Sequence, residues 1–575
     1  MQAQFALAPL DYAAFCGYFA VLCLIAYLAG RRKRASTEGY FLAGRSLPWY
    51  VVGTSFVAAN ISTEQFIGMV GAAYVFGVCV AMSDWGNIWS FSLLIWFFIP
   101  FLLASKVFTT PEFLERRYSA AIRQFFAVVT VISNITAFLA GVLYGGGLAL
   151  QRLFGWDLWF SIVFIALAAG GWAIWGGLLS IAWSDLFTLA IKIAGGISVT
   201  VLGLYYLSGT QHSLTAGWKL MIERNQAQTG IWRQAVAHNT RNIAHVDHYN
   251  RLAVVQPITH PTNPWPGLFL GFLSVSIWYN VINQFMIQRV LAARSMYHAR
   301  MGIVLAGFLK ILMPTITVLP GLILFALNPD ILMLPWNRVR PEADKGYVAM
   351  LQMVIPEGLR GLFLAALFGA IQSTVSSVIN STATIITLDF YKRLVRPHAT
   401  ERHYVRAGAI TSVVVMAIAV VLARYIERMG DGLFVYIQTM YAFFAPPFSA
   451  IFVLGILWRR INAAGAMAAV VTGFALGIAL KLYVNLAPGH WLWLEPYTMQ
   501  ATVNWFCCVG VCTLVSLRSA PPPPEKVTDK LTFNFRRLNL GGELGGPWYR
   551  SVVFYWCVFA VCILALVAML SGLFL

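Results

Sequence analysis

Five ionisable side chains stand inside otherwise apolar stretches of this chain: Glu64, Asp84, Asp185, Lys192 and Lys310. A charge near a bilayer centre costs about 2.5–3.5 kcal/mol on insertion scales, so such residues pair with one another or line a pathway. Lys310 is the sharpest case, in Ile303-Val-Leu-Ala-Gly-Phe-Leu-Lys-Ile-Leu-Met-Pro314. It is too far from either end of the stretch for snorkelling to be the favoured reading. A polar site at mid-membrane is the better one. Uncharged polar residues cluster in the same way. One run reads Ala58-Ala-Asn-Ile-Ser-Thr-Glu-Gln-Phe66; a second carries Ser274, Ser276, Asn280, Asn283 and Gln284; a third is Ala370-Ile-Gln-Ser-Thr-Val-Ser-Ser-Val-Ile-Asn-Ser-Thr-Ala-Thr384. One buried serine stitches helices together with about 0.6 kcal/mol. Clusters this dense point to a cation site, because irregular backbone at membrane depth is tolerated where it lines a cavity and its freed carbonyls can ligate a small cation.

The elements that must hold these groups follow from composition. Hydrophobic residues make up 59% and charged ones 11%, so this is an all-α polytopic membrane protein. At about 20 apolar residues per spanning helix, fourteen spans are predicted, near 11–30, 47–75, 77–104, 121–150, 156–175, 179–208, 266–288, 301–328, 361–388, 405–424, 432–457, 463–485, 499–517 and 551–574. The first is not read as a cleavable signal peptide, since Asp11 precedes it and Arg31-Arg-Lys-Arg34 follows. With the N-terminus outside, the inner loops hold 25 of the 40 lysines and arginines, so both termini are predicted extracellular, in the plasma membrane. All eight cysteines fall in apolar spans and read as packing residues. The net charge of +18 records topology; with no basic stripe in a soluble region, a nucleic-acid partner is rejected. The 209–265 loop holds His212, His238, His245, His248 and His260 without ligand spacing, and is expected to be irregular and solvated. Pro521–Pro524 reads as a stiff inner linker.

The polar second and seventh spans lie five helices apart and echo each other, Asn60…Gln65-Phe66 against Asn280…Gln284-Phe285, which fits two inverted repeats. At these residues the chain resembles the sodium/solute symporter family, and within it the sodium/sugar cotransporters. The resemblance runs from Gly44-Arg-Ser-Leu-Pro-Trp49 through residues 58–68, Asn283-Gln-Phe-Met-Ile-Gln-Arg289, Phe308-Leu-Lys-Ile-Leu-Met-Pro314, Asn380-Ser-Thr-Ala-Thr-Ile385 and Tyr436-Ile-Gln438 to the last helix. It implies a leucine-transporter-type fold. Its parts would be an extra helix and basic loop (1–46), inverted repeat one (47–208), an extracellular loop (209–265), inverted repeat two (266–457) and three further helices (458–575).

The resemblance also implies a sodium site formed by the carbonyls of Ala58, Ile61 and Ala370 and the hydroxyls of Ser373 and Thr374. None of these ligands is replaced by a lysine or arginine, so no tethered ammonium is expected to do the cation's work. Asp185, Ser376 and Ser377 match a second sodium site of some relatives; the alternative for Asp185 is an ion pair with Lys192, two turns away. Gln65, Asp84, Lys310 and Gln438 match the hydrogen-bonding set for a sugar, with Asn87 and Ser276 at further pocket positions. Tyr279 matches an aromatic covering the sugar, and Tyr144 another lining ring. Asp84 stands where relatives mostly have Glu, and Asn280 where they usually have Trp. Glu64 has no assigned role beyond a structural hydrogen bond.

The expected activity is sodium-coupled import of a hexose such as glucose or galactose by alternating access, with Na+ as coupling ion, the lipid bilayer as surroundings and no catalysis. Rival solutes are myo-inositol, sialic acid, an amino acid such as proline, or a carboxylate. A channel would need a continuous pore, which the charged residues in the pocket argue against. A receptor or an intramembrane enzyme is disfavoured, since the loops are short and HExxH, GxSxG and phosphate-loop motifs are missing.

Overall fold

Helix Trp49–Asn60 stops in the middle of its span because its next residues offer the backbone other partners. Ile61 turns extended (φ −88°, ψ 105°). The Ser62 amide donates to Gln65 Oε1 at 2.8 Å, and the Glu64 amide to Ser62 Oγ at 3.1 Å. These side chains take over donors that a continuous helix would have paired, as serine and other short polar residues do near helix ends. The chain then resumes through a π turn, Glu64–Met69, into helix Val70–Phe76. The seventh span breaks in the same manner: Gly267–Ile282 and Gln284–Leu291 meet at 48° around an extended Asn283 whose side chain caps the second piece.

In this computed structural model, residues 7–31, 36–240, 250–426, 433–487, 489–534 and 543–571 are described. Arg32, Lys33 and Arg34 of the basic cluster, and His245 and His248, lie outside them. Eleven described helices are long and apolar enough to span a membrane, twelve with the bent pair. The broken span 49–76 and the first part of helix Leu158–Leu207 account for the other two of the fourteen predicted. At about 1.5 Å per residue, a helix of 50 residues would be more than twice the thickness of the hydrocarbon layer. It divides at Gly177 (φ 61°), where a Cβ would stand 2.6 Å from the Tyr40 carbonyl, so glycine is required there. Helix Arg360–Ile385, bearing the third polar run, lies at the centre of the bundle, and Pro9–Gly30 and Val552–Met569 lie outside, mostly facing lipid.

The 209–265 segment differs from its expected irregular, solvated state. It forms helices Leu214–Gln226 and Gly230–Thr240, and past them Arg251 is fully buried, donating to the carbonyls of Tyr74 (2.7 Å) and Val75 (2.9 Å). A guanidinium there caps the C-terminal carbonyls and the negative dipole end of helix Val70–Phe76. His260 is buried too; its Nδ1 accepts the Asn263 amide at 3.0 Å. Burial, with Arg340 near, holds its imidazole well below the ordinary range, at about 3.

Helix Trp336–Val354 closes over the same region. Asp344 Oδ2 accepts the Leu433 amide at 2.8 Å, and Asp344 presses so close to Gly71 that a Cβ there would be 2.3 Å from Oδ1. Burial pushes the Asp344 carboxyl up to about 8, against the opposing pull of the Leu433 amide and Lys345. A carboxyl raised in the folded state binds its proton more tightly there than when unfolded, so stability falls as pH rises from about 4 towards 8. Hydrogen exchange in Trp336–Val354 should therefore quicken between pH 5 and 8, after correction for intrinsic exchange. In Asp344→Asn, whose amide oxygen can still accept from Leu433, it should not; equal pH profiles would reject this.

Candidate functional site

Residues at the two helix breaks and Lys310 converge on one cavity. Of the nine residues expected around a solute, Gln65, Asp84, Asn87, Ser276, Tyr279, Lys310 and Gln438 line it. Lys310 Nζ pairs with Asp84 Oδ1 at 2.5 Å and also donates to Asn60 Oδ1, with both members of the ion pair almost fully buried. The second carboxylate oxygen of Asp84 and the amide oxygen of Gln438 are buried without a hydrogen-bond partner among the described residues. Gln65 has its oxygen committed to the amide and hydroxyl of Ser62, which leaves its NH2 to offer a ligand.

Asn280 does not line the cavity. Its amide donates to Asn87 Oδ1 (2.7 Å), Ser276 Oγ (3.1 Å) and Ser90 Oγ (3.2 Å), fixing the orientation of two residues that do. Tyr144 does not line it either. The face of helix Ala140–Phe154 turned inward is made by Gly141 and Gly145, against Ile437 and Thr63. Tyr279 belongs to an aromatic wall with Phe138 and Tyr441, ring centroids 5.6 and 5.3 Å away.

Beside the cavity, the carbonyls freed by the first break face helix Arg360–Ile385. Ser373 Oγ donates to the Ala58 carbonyl at 2.9 Å and lies 3.4 Å from that of Ala370, while Thr374 Oγ1 turns to the Ala59 carbonyl at 2.8 Å. The expectation that no lysine takes part here is corrected by the structure. Lys192 reaches in from a third helix, its Nζ 2.7 Å from Ala58 O, 2.9 Å from Ile61 O and 2.5 Å from Ser373 Oγ. The ligands themselves are unchanged in type; the cation comes from a helix they do not belong to.

Asp185 differs as well. Its Oδ2 accepts from Ser55 Oγ at 2.6 Å and from Arg289 Nη2 at 3.4 Å, so its direct ion-pair contact is with Arg289, and Lys192 acts on it only at longer range. The Arg289 guanidinium also donates to Ser377 Oγ, and so occupies the place beside Asp185 and Ser377 that was expected to hold a second sodium ion. Ser376 bonds within its own helix, to Ser373 O at 3.2 Å.

The sodium:solute symporter family profile matches residues 40–473. The chain belongs to that family. Three curated relatives extend the likeness over nearly all of this symporter. The sodium/glucose cotransporter of Vibrio parahaemolyticus is 33% identical over 92% of the chain and 95% of its own length. The human sodium/myo-inositol cotransporter is 30% identical over 91% and 75%. The rat sodium/glucose cotransporter 2 is 29% identical over 92% and 81%. Among solved structures, the substrate-bound, outward-open state of a Na+-coupled sialic acid symporter superposes with a TM-score of 0.69 at 21% identity, covering 90% of this chain and 99% of that one. The fold is thus the leucine-transporter type with two inverted five-helix repeats, the protein is a transporter and not an enzyme, and Na+ is its coupling ion.

Among the polar residues lining the cavity of this symporter, sequence reasoning gave no pocket position to Asn60, Glu64, Ser83 and Tyr441, although it expected a structural hydrogen bond for Glu64. Glu64 lines the cavity and is held by Gln438 Nε2 (3.1 Å) and Tyr441 OH (3.4 Å), so it orients the glutamine expected to hold the solute. Tyr441 and Asn60 also line it. Asn60 and Glu64 stand in a polar run already singled out, and Ser83 and Tyr441 lie one and three residues from Asp84 and Gln438, but spacing alone gives no direction toward the cavity.

Proposed function

We propose that this symporter imports a neutral, polyhydroxylated solute, an aldohexose such as glucose or galactose, with Na+ by alternating access. The observation that carries the reading is the state of the polar groups in the cavity. Lys310 is already bonded to Asp84 and Asn60, so a carboxylate substrate has no uncommitted cation to meet. Two buried acceptors, on Asp84 and Gln438, instead call for donors, and leaving such atoms unpaired costs about 1–3 kcal/mol each. Hydroxyls of a sugar supply those donors, and Tyr279 offers a ring to its apolar face. These features disfavour sialic acid, amino acids and carboxylates. Myo-inositol is the second reading, supported by the human relative that carries that name.

Na+ held between the first helix break and Ser373 would draw the two repeats together and complete the solute site. At 100 mV one inward charge is worth about 2.3 kcal/mol, and a tenfold sodium gradient adds about 1.4 kcal/mol, together supporting accumulation of several hundredfold. The guanidinium beside Asp185 supports one Na+ per cycle. The excess of basic residues in the loops assigned to the inner side supports a plasma-membrane orientation with both termini outside.

In proteoliposomes with an inward Na+ gradient, labelled glucose or galactose should accumulate and each should compete with the other. Gln438→Ala should weaken solute affinity about five- to hundredfold, at tenfold per 1.4 kcal/mol, since it removes one acceptor and releases Glu64. Competition by proline or sialic acid with none from any aldohexose would overturn the sugar reading and leave the family membership intact.

A further inference from the structure

Lys192 is fully buried, and its ammonium meets three oxygens: two carbonyls at a helix break and one serine hydroxyl on the central helix. An ammonium carries three N–H donors and no acceptor, so this cage satisfies it completely. The contacts of 2.5–2.9 Å are those of charge-assisted hydrogen bonds. Among the described residues it makes no ion pair with a carboxylate. Asp185, on its own helix, bonds Ser55 and Arg289; Arg289, the other charged group nearby, is a cation; the two helices that build the cage present only neutral oxygens. The Lys192 charge is therefore held by oxygen dipoles, as a sodium ion would be, and by three of the oxygens that the family resemblance assigns to sodium.

We propose that the Lys192 ammonium is a built-in occupant of the principal cation position, so that Na+ binds there only by displacing it. Each ion entering then requires the side chain to swing out of the three-oxygen cage, so Lys192 and sodium compete for the same oxygens. The inference deepens the proposed sodium coupling and is independent of which solute is carried. It also gives the helix break a permanent partner: between transport events the carbonyls of Ala58 and Ile61 stay bonded, which keeps the helices Trp49–Asn60, Leu158–Leu207 and Arg360–Ile385 joined.

The test is Na+ binding to the purified full-length protein without sugar, followed by intrinsic tryptophan fluorescence, with choline replacing Na+ at constant ionic strength. At pH 6, Lys192→Met should bind Na+ at least tenfold more tightly than wild type. Lys192→Arg, which keeps a cation on this side chain, should gain far less than Lys192→Met. A folded Lys192→Met variant that binds Na+ no better at pH 6 would make Lys192 a structural staple and overturn the proposal. If Lys192→Met does not fold, Lys192→Gln, whose amide can still bond the cage oxygens, decides in its place, and no gain in Na+ affinity there overturns the proposal. Failure of the sugar reading would leave these sodium measurements unchanged, so the two can be told apart.

Discussion

Lys310→Met will abolish solute uptake and destabilise the protein, the largest effect expected of any single change in the cavity. Met keeps the length of the side chain and removes the charge, so the loss is electrostatic and not a matter of volume. Lys310 is bonded to Asp84 and Asn60, and all three are buried. Removing one partner of a buried ion pair costs about 3–5 kcal/mol because the remaining charge is left uncompensated. The same reasoning predicts partial rescue of stability in Lys310→Met/Asp84→Asn, where neither charge is left. Transport should not return with it, since the acceptor on Asp84 is then altered. Thermal melts of the two single variants and the double variant, read as a cycle, give the coupling directly. Additive melts, with the double variant no better than the sum of the singles, would reject the pair as the source of the effect.

Arg289→Met will destabilise the bundle by a similar margin, about 3–5 kcal/mol, for the same reason at the Asp185 pair. This arginine also ties helices together. It bonds Ser55 O (3.1 Å) and Oγ (2.7 Å) on the first broken helix, Asp185 on the long helix and Ser377 on the central one. Arg289→Lys should recover only part of the loss, because a lysine has three donors on one atom where arginine spreads five over a planar fork. Asp185→Asn should leave the number of sodium ions per solute unchanged, as charge-to-solute flux ratios can measure. A fall from two ions to one would restore Asp185, Ser376 and Ser377 as a second sodium site and remove Arg289 from that role.

Much of this was legible without coordinates. The spans could be read because each must bury about 20 residues in lipid, and both broken helices could be read because polar runs at mid-span have no other physical excuse. That Lys310 and Asp84 must each find a partner followed from the cost of either charge alone. What could not be read was direction. Lys192 and Asp185 are two turns apart on one helix, and their opposite charges suggested a pair; the fold turns Lys192 to the carbonyls of another helix and gives Asp185 an arginine assigned by sequence to a loop. Likewise Arg251 and His260 sit in a segment of loop-like composition, and only packing against the end of helix Val70–Phe76 buries them.

The sequence by itself determined the class of the protein, its helices, the breaks in them and which polar residues must find partners, because those follow from the cost of exposing backbone and charge to hydrocarbon. Only the tertiary structure decided which partner each residue takes. That choice depends on the rotation of one helix against its neighbours, to which local composition is blind. The cation between the second and ninth spans is therefore where the two levels part. The sequence supplied the oxygens, and the packing of the long helix brought Lys192 to them.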